Sequence, residues 1–152
     1  MANSYLKMTL KSGEVVIKMY DDVAPKHVAR LKELVSQGFY DGLKFHRVID
    51  GFIAQTGCPN GDGTGRSGQE IPAEFSDLPF KRGTVGMARG VKLDSADCQF
   101  FICLQDCPRL KGQYTIWGEV VSGMEHIDSL PKGDKLSGIV KNPDVIVKLE
   151  IN

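Results

Sequence analysis

The stretch Phe45-His46-Arg47-Val48-Ile49-Asp50-Gly51-Phe52-Ile53-Ala54-Gln55-Thr56-Gly57 sets one permanent cation, Arg47, among apolar and aromatic side chains, with the uncharged amide of Gln55 close by. A second stretch, Met87-Ala88-Arg89 leading on to Cys98-Gln99-Phe100-Phe101-Ile102, carries the same mixture of small, amide and aromatic residues. Neither offers an evident nucleophile, a carboxylate pair or a set of metal ligands. Such a combination suits a reaction that breaks no covalent bond.

The rest of the chain narrows the classes. Its 152 residues are most simply one domain, spanning 1–152, and are enough to bury a core without staples. Lys and Arg total 19, and so do Asp and Glu. This balance lacks the basic excess by which nucleic-acid binders release counterions, and no block of like charge points to a membrane surface. No apolar run has spanning length and none precedes the first strand, so the chain is expected to be cytoplasmic. The four cysteines, Cys58, Cys98, Cys103 and Cys107, match none of the usual paired metal-ligand spacings and read as free thiols in a reducing compartment. No metal and no organic cofactor is called for, and no feature suggests an obligate oligomer.

Hydrophobic alternation gives strands at Leu6–Leu10 and Val15–Met19, joined at Ser12-Gly13 as a hairpin. Pro25 suits a helical first turn, and Ala24, Val28, Leu31, Leu34 and Val35 fall on one helical face, with Gly38 at the C-terminal cap. His27 reads as solvated. Residues 39–53 read as strand. The glycine-rich segment 56–69 reads as an irregular loop; it lacks the Lys-Ser/Thr and the helix of a phosphate-binding loop. Further strands are expected at 84–88, 99–104, 114–121 and 145–151, with a short helix at Met124–Leu130 stopped by Pro131 and with His126 on its outer face. Many short strands and two helices argue for an all-β fold that closes or sandwiches.

Every fixed position of Phe-His-Arg-x-x-x-Gly-Phe-x-x-Gln-x-Gly is met between Phe45 and Gly57, and Gln-Phe-Phe-Ile is met at Gln99–Ile102. With these two motifs in order the chain resembles the cyclophilin family of peptidyl-prolyl cis-trans isomerases over nearly its whole length, in a compact, bacterial-like form. The resemblance implies a closed eight-stranded antiparallel barrel with two capping helices. It implies substrates that are X-Pro-containing peptides and unfolded proteins, acted on by a monomer in protein folding. Catalysis falls to Arg47, Phe52 and Gln55. Substrate contact falls to His46, Ile53, Ala88, Arg89, Gln99, Phe101, Arg109, Leu110 and Tyr114, with the backbone of Ala88 and Arg89 as peptide partners and His46 as a support for the arginine. Taken singly, Phe52 and Phe101 read as core aromatics, Arg47 as a surface ion-pair donor and His46 as a structural histidine. Their joint placement in both motifs makes them a site.

Arg is suited to the part. It is always charged, carries its donors in a rigid plane and cannot act as a base. The chain departs from the family at a few positions: Arg109 stands where many members have tryptophan, Tyr114 where histidine is common, Ile53 where methionine is common and Arg89 where asparagine is usual. Only Arg109 changes the chemistry of a groove wall, so cyclosporin-type ligands are expected to bind weakly. Two competing readings are a proline-segment-binding chaperone or scaffold with little turnover and an unrelated β-barrel binder; the neutral charge and both motifs speak against the second.

Overall fold

The computed structural model describes residues 4–152. Met1–Asn3, where the sequence reading looked for a leader and found none, lie outside the described residues.

β1 (Ser4–Leu10) and β2 (Gly13–Met19) form the expected hairpin, paired from Ser4↔Met19 to Leu10↔Gly13. Leu6, Met8, Leu10, Val15, Ile17 and Met19 are all buried, as alternation requires. Then come α1 (Pro25–Ser36), β3 (Arg47–Ile49), β4 (Ile53–Thr56), β5 (Thr84–Met87), β6 (Phe100–Cys103), a single 3-10 turn at Pro108–Leu110, β7 (Ile116–Ser122), α2 (Met124–Asp128) and β8 (Lys148–Ile151). The strand expected over 39–53 is realised only at β3 and the start of β4: 39–42 are turns, 43–46 are irregular chain with an isolated bridge at Lys44, and 50–52 are a turn. Backbone bonds tie 39–46 to the distant segment 144–146, through Phe45 N–H to the Asp144 carbonyl and Gly42 N–H to the Ile146 carbonyl.

All strand pairs are antiparallel, in the order β3-β4-β6-β5-β7-β2-β1-β8. The eight strands curl strongly but do not close, which corrects the expected closed barrel. The edge strands β3 and β8 do not pair with each other. β3 is only three residues long, and its outer edge is taken up by an irregular segment: Val48 N–H donates to the Gly138 carbonyl, Gly133 N–H to the Val48 carbonyl, and isolated bridges join Arg47 to Ile139 and Lys44 to Val145. A loop therefore fills the seam where a strand pair would have sealed it.

Two hydrophobic clusters lie on opposite faces of this sheet. The larger holds the inward residues of every strand, with Val28, Leu31, Leu34 and Val35 of α1 and Ile127 of α2 packed into it. The smaller gathers Ile53, Phe80, Phe101, Cys103, Cys107 and Ile116 on the outer face. β5 and β6 are consequently buried on both sides and read as continuous apolar runs. Trp117 is wholly buried in the main core, as expected of a strand residue. All four cysteines are buried free thiols.

α1 begins at Pro25 as predicted, but no side chain of its own caps it. Glu74 does so from a distant loop, accepting the N–H groups of Lys26 at 3.1 Å and His27 at 2.8 Å. The same carboxylate takes His27 Nδ1 at 2.7 Å. His27 is thus wholly buried, not solvated. His126 is half-buried rather than outward, with Nδ1 at 3.0 Å from the Ser12 hydroxyl.

Burial holds the His27 pKa below its ordinary value despite the Glu74 contact, because charging the ring would leave Nε2, which has no partner among the described residues, as a buried donor. Burial lowers His46 as well, with the Lys44 backbone opposing it. A histidine with a depressed folded pKa binds its proton more readily when unfolded. Its contribution is complete above about pH 6.5 and declines as the pH falls below that value. We expect the melting temperature to drop over this range and His27→Gln to flatten the drop in part. An unchanged slope in a pH series of thermal melts would contradict the assignment.

Candidate active site

Antiparallel register assembles the site. Across neighbouring strands, Arg47 pairs with Gln55, Gln55 with Phe101, and Phe101 with Gly86. Directly opposed residues share a face, so these side chains form one row on the outside of the sheet. The adjoining residues Val48, Ala54, Ile102 and Val85 form the next row and point into the main core. The motif from Phe45 to Gly57 is therefore a hairpin in which Asp50-Gly51 turns the chain so that Arg47 and Gln55 meet. Gly57, at its end, has φ +93°, and a Cβ there would lie 2.7 Å from the Cys98 carbonyl oxygen. That position admits only glycine.

Hydrogen bonds then fix the polar members. Arg47 Nη1 donates to Gln55 Oε1 at 3.0 Å, and Gln55 Nε2 donates to Gln99 Oε1 at 3.1 Å. Gln99 Nε2 donates in turn to the carbonyls of Gly63 at 3.0 Å and Gly65 at 3.3 Å. The loop bearing those carbonyls is tied to Cys58, whose Sγ accepts the N–H groups of Gly63 and Gly65. Burial pushes the Cys58 thiol up, but these backbone donors outweigh it and the net shift is downward. On its other edge, Arg47 Nε donates to the Ser137 carbonyl at 3.0 Å. Nη2 makes no hydrogen bond among the described residues.

Beside Arg47 opens a cavity of about 210 Å³. Phe52, Ile53, Phe101 and Leu110 form its apolar walls, Gln55 and Arg47 its polar rim, and Ala88, Arg89 and Tyr114 its far side. The Phe101 ring is stacked on Phe80 with centroids 6.1 Å apart and meets Tyr114 edge-on at 5.5 Å. The Arg89 guanidinium covers the Tyr114 ring at 4.8 Å and donates to the Gln113 and Gly90 carbonyls. The side chain of Arg89 is therefore structural as well, a role its sequence did not reveal. Ala88 N–H is already committed to the Gln99 carbonyl. A second cavity of about 240 Å³ adjoins the first through Gln55, Ala88 and Arg89 and is bordered by Gln99, Thr64, Arg66 and Asp97.

Two expected residues stand apart. His46 lines neither cavity: it precedes β3 and is buried, with only 7% of it exposed. Arg109 lies on the 3-10 turn and borders an adjoining depression that shares Phe52 and Leu110 with the slot, not the slot itself. Phe80, Ser137 and Gly86 were missed by sequence reasoning. A glycine inside a strand often marks a close approach, and that signal was present at Gly86.

The sequence pattern described as "Cyclophilin type peptidyl-prolyl cis-trans isomerase/CLD" matches residues 5–151. The chain belongs to that family. Its curated relatives are named for the same activity. A probable peptidyl-prolyl cis-trans isomerase of Brucella suis is 51% identical over 157 residues, covering 95% of this chain and 80% of the relative. Peptidyl-prolyl cis-trans isomerase B of Bacillus subtilis is 40% identical over 129 residues, covering 84% and 90%. Among solved structures, a Cryptosporidium parvum cyclophilin superposes with a TM-score of 0.91 at 28% identity, over 99% of this chain and 98% of that one. That parasite protein was also crystallised in the presence of the dipeptide Ala-Pro. The chain is accordingly a cyclophilin-type peptidyl-prolyl cis-trans isomerase, an enzyme with a mainly-β fold and two helices.

Gly86 leaves this cyclophilin room for the Phe101 ring that walls the slot. A Cβ there would lie 2.7 Å from Phe101 Cζ and 3.0 Å from Phe80 Cε2. Gly86→Ala is expected to cost about 1–3 kcal/mol of stability by overpacking and to lower kcat/KM by pushing Phe101 into the slot. Chemical denaturation and a peptide isomerisation assay measure both; wild-type values in each would contradict the geometry.

Proposed function

We propose that the enzyme holds the proline ring of an X-Pro segment in the slot between Phe52, Ile53, Phe101 and Leu110 and aims an Arg47 N–H at the prolyl nitrogen while the preceding amide twists. Resonance gives a peptide bond a rotational barrier of about 18–20 kcal/mol, and X-Pro isomers exchange in tens to hundreds of seconds unaided. At the top of the barrier the nitrogen turns pyramidal and regains a lone pair. A donor aimed there bonds better in the twisted form than in either planar one, and only such a difference accelerates the reaction. The apolar walls add a second contribution, because the twisted amide has lost much of its resonance dipole and is favoured by a less polar setting.

The observation that carries this reading is the double restraint on Arg47, by Gln55 Oε1 and by the Ser137 carbonyl, at the mouth of an apolar slot. Gln99 steadies Gln55 from behind. The mechanism asks for no titrating base. The clients proposed are exposed X-Pro bonds of peptides and unfolded proteins, met by a monomer in the cytoplasm; the four free thiols fit a reducing compartment. The Ala-Pro used with the parasite relative is consistent with a proline-containing ligand here.

Arg47→Ala is expected to lower kcat/KM for an X-Pro peptide by about 10²-fold while the peptide still binds, because the walls of the slot remain. Exchange NMR on one peptide reads both quantities. Binding with no acceleration by the wild-type protein would favour the scaffold reading, and full activity in the variant would remove Arg47 from catalysis.

Cyclosporin-type ligands outgrow the slot, and beyond Leu110 they would meet the exposed cation of Arg109 instead of a flat ring. We expect weak inhibition, with recovery in Arg109→Trp. A nanomolar inhibition constant for the wild-type enzyme would contradict this.

A further inference from the structure

The seam loop that keeps the sheet open also touches Arg47. Ser137 lies far from Arg47 in sequence, yet its carbonyl accepts the Arg47 Nε–H at 3.0 Å. The position of that carbonyl is set by Asp134. A single oxygen of this carboxylate, Oδ2, accepts Leu136 N–H at 3.1 Å, Ser137 N–H at 3.0 Å and the Ser137 hydroxyl at 3.2 Å. Gly138 N–H donates to the Asp134 carbonyl at 2.7 Å and closes the turn. The turn is registered on β3 at Val48, the residue next to Arg47, by the bonds from Val48 N–H to Gly138 and from Gly133 N–H to Val48.

The turn also meets the aliphatic stem of Arg47. Gly138 has φ +76°, and a Cβ on it would lie 2.5 Å from Ile49 Cγ1 and 3.0 Å from Arg47 Cγ. Glycine is required there on both counts. Arg47 is thus restrained at three places: its stem against Gly138, its Nε edge by Ser137 and its Nη1 edge by Gln55. Two edge contacts fix a planar guanidinium in its plane as well as in position. A free arginine side chain has many rotamers, so a preformed clamp spares the enzyme that ordering cost in the transition state.

We infer that Asp134 is a positioning residue for the isomerase reaction: its carboxylate folds the 134–138 turn so that the Ser137 carbonyl and Gly138 hold Arg47 in its working orientation. This rests on the reading of Arg47 as the catalytic group. Asp134 is exposed and acts through the backbone of the turn, not through its charge. Because all three bonds converge on one oxygen, the side-chain carbonyl of asparagine can replace it.

The test compares Asp134→Ala, Asp134→Asn, Gly138→Ala and Arg47→Ala in the full chain, with an X-Pro peptide as probe. Three quantities are read: kcat/KM, the peptide Kd, and water exchange of the Arg47 Nε–H by nitrogen-15 NMR. Asp134→Ala is expected to lower kcat/KM about tenfold, as small misplacements of a catalytic group do, with Kd unchanged and the Nε–H exchanging faster. Asp134→Asn restores both to near wild type, and Gly138→Ala repeats the loss. Wild-type kcat/KM and Nε–H exchange in Asp134→Ala would overturn the inference. An equal loss in Asp134→Asn would also overturn it, by showing that charge and not the turn matters. If Arg47→Ala is inactive while Asp134→Ala is normal, only the clamp fails. If Arg47→Ala is fully active, the reading of Arg47 as the catalytic group fails and the clamp with it. Should Asp134→Ala fold poorly in a thermal melt, Asp134→Glu decides: it keeps the charge but moves the oxygen one methylene away, so the same loss of kcat/KM with faster Nε–H exchange is expected, and wild-type values of both would overturn the inference.

Discussion

The site depends on the antiparallel register that sets Arg47 opposite Gln55, Gln55 opposite Phe101 and Phe101 opposite Gly86. Strand side chains alternate between faces, so a shift of one residue in any of these pairs would send a site residue into the core. The register is protected because the intervening residues, Val48, Ala54, Ile102 and Val85, are themselves wholly buried. The core-facing row and the candidate-site row are locked by the same hydrogen-bond ladder. Folding energy and the geometry of the candidate site therefore share one origin in this region.

The chemistry follows from what surrounds that row. A guanidinium alone on a surface would move freely and be well hydrated. Here an amide chain running through Gln55 and Gln99 to the Gly63 and Gly65 carbonyls holds one edge, and the Ser137 carbonyl holds the other. Phe101 is held as firmly, stacked on Phe80 and edge-on to Tyr114. On the proposed mechanism, a rigid donor beside a rigid apolar slot suffices for a reaction whose only requirement is that one twisted conformer be favoured over two planar ones.

Much of this was legible in the sequence because the hairpin is local. Arg47 and Gln55 lie in one short motif, although the Asp50-Gly51 turn between them reads as strand in the sequence, and the helix from Pro25 to Gly38 announces itself by period and by its ends. What the sequence hid was long-range. Glu74 caps α1 from another loop, and nothing near His27 foretold that it would be buried against that carboxylate. His46 sits next to Arg47 in the chain, but it is buried before β3 begins and lines neither cavity. Arg109 aligned with a groove position, yet on the short turn at Pro108–Leu110 it borders an adjoining depression that shares Phe52 and Leu110 with the slot. Barrel closure failed for a related reason. The family resemblance implied closure, but β3 has only three residues and a loop from 133 to 139 satisfies its outer edge.

The central claim is that a planar, doubly tethered guanidinium next to Phe101 does the work, and not merely a positive charge. Exchange NMR of an X-Pro peptide with the Arg47→Lys enzyme tests it most directly, because lysine keeps the charge and loses the fork. The account predicts that the peptide still binds while the cis–trans exchange seen with wild type is largely lost. Exchange as fast as wild type in Arg47→Lys would contradict it.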